Sequence, residues 1–123
     1  MLNGGLWNGR RICSEITIRR AIQQFGSLQI DRTMMIPMRF SAGMMLGGNP
    51  VGLWGQNSRF AFGHVGLINK LCWADAARDI SVSLLNTGIP IVGHHLPALA
   101  KFVYTVCDRF PLVPEGQRPL IAA

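Results

Sequence analysis

Residues 60–88, with the sequence FAFGHVGLINKLCWADAARDISVSLLNTG, decide the fold of this chain. They predict three consecutive strands, over residues 60–68, 69–73 and 80–85. In the third strand apolar and polar residues alternate, which is typical of a strand with one buried face. Because only short turns separate the strands, we expect them to pair as an antiparallel meander.

One amphipathic helix is predicted on either side of the meander. Ser14 is well placed as the N-cap of the first helix, where apolar residues recur at helical spacing from Ile18 to Phe25. Gly26 is expected to end this helix. The second helix is predicted over residues 96–110, with a proline in its first turn. The fold class expected is therefore α+β, an antiparallel β-meander packed by an N-terminal and a C-terminal helix.

The segment between the first helix and the meander is rich in glycine and proline. Residues 39–46, RFSAGMML, predict a further strand, and the Gly-Gly-Asn-Pro sequence at 47–50 predicts a turn. Residues 51–58 are expected to form a loop against the sheet edge. We expect residues 1–110 to form one domain and the proline-rich residues 111–123 to form an irregular tail.

The composition indicates a folded chain without a nucleic-acid or membrane partner. Apolar residues make up 49% and charged residues 15% of the 123 residues, which excludes the composition of a disordered protein. The net charge is +6, but the basic residues are spread along the chain with no run longer than two, which argues against nucleic acid. No signal sequence and no apolar run long enough to span a membrane is recognised, so a cytoplasmic location is favoured.

No metal site and no cofactor is expected from the sequence. The three cysteines are far apart and form no Cys-x-x-Cys motif, which favours free thiols in a reducing compartment. The three histidines, His64, His94 and His95, do not occur at metal-binding spacings. Hydrogen bonding near the start of the second helix is the expected role of His94 and His95.

The chain also has no recognisable activated nucleophile. No serine lies in a Gly-x-Ser-x-Gly motif, and no serine has a lysine three residues later. If the protein is a hydrolase that needs such a serine, the serine must come from another segment.

The segment GHVGLINKLCWADAARDISVSLLNTG, preceded by RFSAGMMLGG and followed by an amphipathic helix, resembles the C-terminal part of serine hydrolases with the β-lactamase fold. This family includes class C β-lactamases, penicillin-binding peptidases and related carboxylesterases. The resemblance covers almost the whole chain and is strongest over residues 62–88.

The resemblance implies a nucleophile that this chain does not contain. The family carries Ser-x-x-Lys on an upstream helix and a tyrosine in a second motif, whereas Tyr104, the single tyrosine here, lies in the predicted second helix. His64, Val65 and Gly66 match the third family motif except at the middle position, where the family has Thr or Ser. The departure at Val65 favours ester hydrolysis over β-lactam hydrolysis.

The resemblance places His64, Gly66 and Leu67 at the edge of an acyl-transfer cleft. Gly66 would let an acyl substrate lie against the strand, and the Leu67 N–H would donate a hydrogen bond to an oxyanion. His64 would hydrogen-bond to the substrate or to the polar network of the site. Four neighbours are expected to have structural roles, with the tryptophan in the core and the aspartate setting a turn: Asn69, Lys70, Trp73 and Asp75.

The sequence thus predicts one part of a serine hydrolase that acts through an acyl-enzyme. Its expected partners are the missing N-terminal part of the same domain and an ester or amide substrate. The chain by itself is expected to be inactive. A free-standing, non-catalytic α+β binding module is the alternative.

Overall fold

The computed structural model describes residues 2–32, 35–66, 70–87, 93 and 95–118. Its helices are α1 (Glu15–Ile22), α2 (Leu96–Arg109) and a short 3-10 helix (Glu115–Gln117). Its strands are β1 (Leu6–Trp7), β2 (Arg10–Arg11), β3 (Gln29–Asp31), β4 (Ile36–Phe40), β5 (Met45–Leu46), β6 (Val51–Gly52), β7 (Gly55–Gln56), β8 (Ala61–Val65), β9 (Leu71–Asp75) and β10 (Ile80–Leu84).

Within the described residues the main sheet has six antiparallel strands in the order β10-β9-β8-β5-β4-β3. Two small hairpins, β1–β2 and β6–β7, lie outside this sheet. Strands β8, β9 and β10 form the meander that the sequence predicts, and helices precede and follow the sheet. The predicted α+β fold class is confirmed.

The sheet separates two hydrophobic cores found in the described part of the chain. Phe62 packs with Ile18 of α1, whereas its neighbour Ala61 packs with Val103 of α2. Because successive side chains of a strand point to opposite faces, α1 and α2 lie on opposite faces of the sheet. We call these the α1 face and the α2 face.

Trp54 and Trp73 form the centre of the core on the α2 face. Their rings stack with centroids 5.5 Å apart and planes 12° apart. The Trp54 indole N–H donates to the Met45 carbonyl over 2.9 Å, so its polar atom is satisfied although the side chain is fully buried. The expectation that Trp73 belongs to the core is confirmed.

Asp75 and Arg78 form a buried ion pair at the β9–β10 turn. The Arg78 Nη1 donates to Asp75 over 2.7 Å, and the other Asp75 oxygen accepts from the Ala77 N–H. Arg78 also donates to the carbonyl groups of Gln56 and Asn57. The role of Asp75 in the turn is confirmed, and the ion pair additionally joins this turn to the end of β7.

Residues 39–46 do not form the single strand that their sequence predicts. They contain the end of β4 and all of β5, joined by a turn at Ser41. The Ser41 hydroxyl oxygen accepts from the Met44 N–H over 3.1 Å, and the Ser41 N–H donates to the Met44 carbonyl. This local bonding of a serine side chain closes the turn and reverses the chain.

Residues 51–58, predicted as a loop, contain the β6–β7 hairpin, which carries Trp54 at its turn. Residues 111–118 are irregular apart from the 3-10 helix. The Val113 N–H donates to the Ala77 carbonyl over 2.8 Å, so this stretch is bonded to the β9–β10 turn. Residues 111–118 are therefore attached to the folded part of the chain, which the prediction of an irregular tail did not include.

Helix α1 starts as predicted but ends earlier. The Ser14 hydroxyl accepts from the Thr17 N–H, which confirms Ser14 as the N-cap. The helix ends at Ile22, and the Phe25 N–H donates to the Phe40 carbonyl instead of continuing the helix. Phe25 is 81% exposed and is not part of the buried stripe, and Gly26 lies beyond the helix end. Helix α2 agrees with its prediction to within one residue.

A methyl group at Gly63 is expected to destabilise the sheet. Gly63 lies opposite Trp73, and a Cβ at this position would lie 2.2 Å from the Cys72 carbonyl oxygen and 2.5 Å from the Trp73 Cβ. These are backbone-fixed atoms that cannot move away. We expect Gly63→Ala to lower the free energy of unfolding by roughly 2–3 kcal/mol in a urea titration.

Gly43→Ala is the matched control, because a Cβ at Gly43 meets no atom within 4 Å. Its effect on the free energy of unfolding should stay within about 0.5 kcal/mol. Equal unfolding midpoints for the two variants would contradict the β8–β9 register.

Candidate functional site

The site residue His64 lies near the end of the central strand β8, on the α1 face. It shares this face with Phe62, but Phe62 is buried under α1 whereas His64 is exposed. Helix α1 thus covers one end of β8 and leaves the His64 end open. A ligand approaching the sheet from this side would meet the imidazole directly.

The imidazole of His64 has a defined orientation. Its Nδ1 lies 2.8 Å from the Val65 carbonyl oxygen. Because a carbonyl oxygen only accepts, this contact places a proton on Nδ1 and leaves Nε2 as the acceptor of the neutral ring. His64 is therefore arranged to accept a hydrogen bond from a hydroxyl group on the open face.

The strand register adds two polar residues to this open face. Cys72 of β9 lies opposite His64, and Ser83 of β10 lies opposite Cys72. All three residues are exposed. They form a row across three strands on the same face, which the alternation of β10 alone does not reveal.

Gly66 follows directly after β8, where its N–H donates to the Lys70 carbonyl over 2.7 Å. A Cβ at Gly66 would meet Lys70 at ordinary contact distances of 3.4–3.5 Å. His64 and Gly66, two residues apart in sequence, both lie at the end of β8. Leu67, the predicted oxyanion donor, lies outside the described residues, as do Asn69 and His94.

Val65 points to the opposite side of the sheet from His64. It packs against the core on the α2 face. An apolar side chain is favoured at this position by its packing alone. The apolar residue at position 65 thus has a structural reason in this chain.

A cavity of about 340 Å³ between α1 and the sheet was not found by sequence reasoning. Its lining includes three arginines, Arg19, Arg39 and Arg59, and the apolar residues Leu46 and Phe62. The arginines come from a helix, a strand and a loop, so their proximity depends on the tertiary fold. The position of Arg39 within an apolar run was the available signal.

The described residues contain no group of three or more His, Cys, Asp or Glu side chains arranged to hold a metal ion. Cys13, Cys72 and Cys107 are all free thiols, at half-buried, exposed and buried positions respectively. No helix in the described part of the chain has the length and apolar character needed to cross a bilayer.

The three thiols are expected to react at different rates. Burial raises the pKa of the Cys107 thiol, Asp75 and Asp108 raise it further, and Arg78 opposes them. The thiol also donates to the Trp54 carbonyl. With Ellman's reagent at neutral pH we expect Cys72 to react at once and Cys107 only when the chain unfolds. Reaction of Cys107 as fast as Cys72 in the folded protein would contradict its burial.

Because of the Cys107 thiol, the free energy of unfolding is expected to depend on pH in the alkaline range. Its pKa in the folded chain lies above the ordinary value of 9.0. The neutral thiol therefore contributes its full stability below pH 9, and this contribution is lost as the pH rises through the folded pKa.

Comparison with known proteins finds no family model, no curated protein and no solved structure that matches this chain. The resemblance to serine hydrolases therefore depends on the sequence motifs.

Proposed function

We propose that this chain is the C-terminal part of a serine hydrolase with the β-lactamase fold, and that the whole enzyme cleaves an ester through an acyl-enzyme. The observation that carries the proposal is the exposed His64, next to Gly66, at the open end of the central strand. The antiparallel sheet with α1 and α2 on opposite faces is compatible with this architecture.

In this mechanism the chain provides one wall of the cleft. A serine hydroxyl from another segment attacks the ester carbonyl carbon and the alcohol leaves, which gives an acyl-serine; water then releases the acid and restores the serine. Nε2 of His64 accepts a hydrogen bond from the hydroxyl or ammonium groups that activate the serine. The Leu67 amide donates to the oxyanion of the tetrahedral intermediate.

Exposed large apolar side chains of residues 6–28 support a partner segment that packs on this part of the chain. They are large residues of β1, of α1 and its approach, and of the stretch after it: Leu6, Trp7, Ile12, Ile16, Phe25 and Leu28. Apolar residues that recur on one part of a surface usually mark an interface. The proposed occupant is the N-terminal part of the same domain, which also supplies the serine.

A short-chain p-nitrophenyl ester tests the proposal. The 123-residue chain alone should not turn it over, whereas a polypeptide that adds the upstream segment with Ser-x-x-Lys should. In that longer protein His64→Ala should lower kcat/KM by about 100-fold, from the loss of a polar contact in the site. Ser81→Ala, a change at an exposed position on the same face that does not lie in the row with His64, should leave it within twofold.

Two results would contradict the proposal. Steady turnover by the 123-residue chain would show that no serine from another segment is needed. Equal effects of His64→Ala and Ser81→Ala in the longer protein would show that the imidazole has no specific role.

A non-catalytic α+β binding module is the second candidate, and the two cores of the described residues favour it because they could stabilise the sheet alone. Such a module should be monodisperse and unfold cooperatively. A fragment of a larger domain should instead aggregate or bind a hydrophobic dye.

A further inference from the structure

We propose that the cavity between α1 and the sheet binds a small carboxylate with an apolar tail, held at its head by Arg39 and Arg59. The cavity lies beside the buried end of β8, away from the exposed His64 end. The proposal does not depend on a hydrolytic function, because the residues that bind the carboxylate have no role in the proposed ester hydrolysis.

The charge of the cavity is the first argument. Arg19 is paired with Glu15 over 3.0 Å, but no carboxylate of the described residues pairs with Arg39 or Arg59. Burial, and then the positive charge of Arg59, lower the pKa of the Arg39 guanidinium below its ordinary value. Two guanidinium groups that repel each other in a partly desolvated place are stabilised by an anion between them.

The free donors of these arginines are the second argument. Arg39 donates through Nε to Gln24 over 2.7 Å and through Nη1 to the Gly47 carbonyl over 2.8 Å, which fixes the side chain. Within the described residues Nη2 of Arg39 has no acceptor, and the Arg59 guanidinium has no hydrogen bond or ion pair and lies 5.9 Å from the centroid of the Phe60 ring. One anchored and one adjustable guanidinium therefore have N–H groups available for a carboxylate.

The lining of the cavity defines the rest of the ligand. Leu46 and Phe62 are buried members of the core on the α1 face, and Ile22 packs against them. A volume of about 340 Å³ is near the lower end of the range of roughly 300–1,000 Å³ for small-molecule sites. The lining is mixed, with the arginines at one part and Ile22, Phe60 and the nearly buried Leu46 and Phe62 beside them, so a short aliphatic chain has apolar contacts next to the carboxylate.

Calorimetric titration of the full 123-residue chain with sodium octanoate tests the proposal. We expect saturable binding, weaker binding of octan-1-ol and of inorganic phosphate, and a rise in the melting temperature with octanoate concentration. Arg59→Gln should weaken octanoate binding by roughly tenfold to hundredfold, the usual effect of losing a charged hydrogen-bond donor. Arg59 is exposed, so this variant should keep the fold.

Arg20→Gln is the matched control, because Arg20 is exposed on α1 and does not line the cavity, and both variants lower the net charge by one. Octanoate affinity should not change in this variant. The proposal is overturned if Arg20→Gln weakens binding as much as Arg59→Gln, if octan-1-ol or phosphate binds as tightly as octanoate, or if octanoate shows no saturable binding. The last result would indicate that these arginines pair with an acidic side chain of another polypeptide instead. It would not affect the proposed ester hydrolysis.

Discussion

Replacement of Arg78 by methionine is expected to lower the free energy of unfolding by about 3–5 kcal/mol, because it leaves the Asp75 carboxylate buried without its counter-charge. The side chains of Asp75 and Arg78 are only 1% and 4% exposed. The substitution also removes the hydrogen bonds from Arg78 to the carbonyl groups of Gln56 and Asn57. Urea or thermal unfolding monitored by circular dichroism measures the effect.

Two further variants separate the effect of the unpaired buried carboxylate on stability from the effect of losing any arginine. The double variant Asp75→Asn/Arg78→Met should recover part of the lost stability, since no uncompensated carboxylate remains. Arg20→Met, a change of the same kind at an exposed position, should stay within about 0.5 kcal/mol. A small effect of Arg78→Met, close to that of Arg20→Met, would contradict the buried ion pair.

Trp54→Ala is expected to cost about 3–5 kcal/mol, the usual range for removing a large aromatic side chain from a core. Trp54 is fully buried, stacks on Trp73 and donates to the Met45 carbonyl. Its loss would leave a cavity between the β6–β7 hairpin and the sheet. The change in unfolding midpoint and the near-ultraviolet circular dichroism of the stacked indoles both report it.

Trp7→Ala provides the same substitution at an exposed position, since Trp7 is 66% exposed in β1. We expect a change within about 0.5 kcal/mol. If the two tryptophan variants unfold at the same urea concentration, the β6–β7 hairpin does not pack as the structure shows.

The meander was predictable because its signals are local. Strand β10 alternates with period two, and Asp75 bonds the N–H of Ala77, only two residues away. Helix α2 follows from the spacing of its apolar residues and from Pro97 in its first turn. Each of these features depends on residues close together in the chain, which a sequence pattern records directly.

The predictions that proved wrong concern residues whose contacts with distant parts of the chain override the local sequence pattern. Phe25 continues the helical stripe in sequence, but its N–H is bonded to the Phe40 carbonyl of β4. Trp54 lies in a glycine-rich segment that resembles a loop, yet stacking on Trp73 buries it. Both outcomes depend on contacts made after the sheet is assembled, which periodicity does not contain.

The candidate site was predictable only in part for the same reason. The motif resemblance selected His64 and Gly66, and the structure adds that His64 is exposed at the end of β8 with its Nδ1 bonded to the Val65 carbonyl. The Arg39–Arg59 cavity needs a strand, a loop and α1 in their folded positions, so the sequence gives only the charge of Arg39 within an apolar run and not its proximity to Arg59. Its discovery depends on the fold, whereas the hydrolase proposal depends on the motif.

Sequencing the DNA upstream of the first codon tests most directly the proposal that this chain is part of a serine hydrolase. The expected result is a Ser-x-x-Lys motif, in frame or separated by a frameshift, about 150–300 codons upstream, as the size of ordinary domains suggests. An upstream region that encodes no such motif within that distance in any forward frame would contradict the proposed parentage.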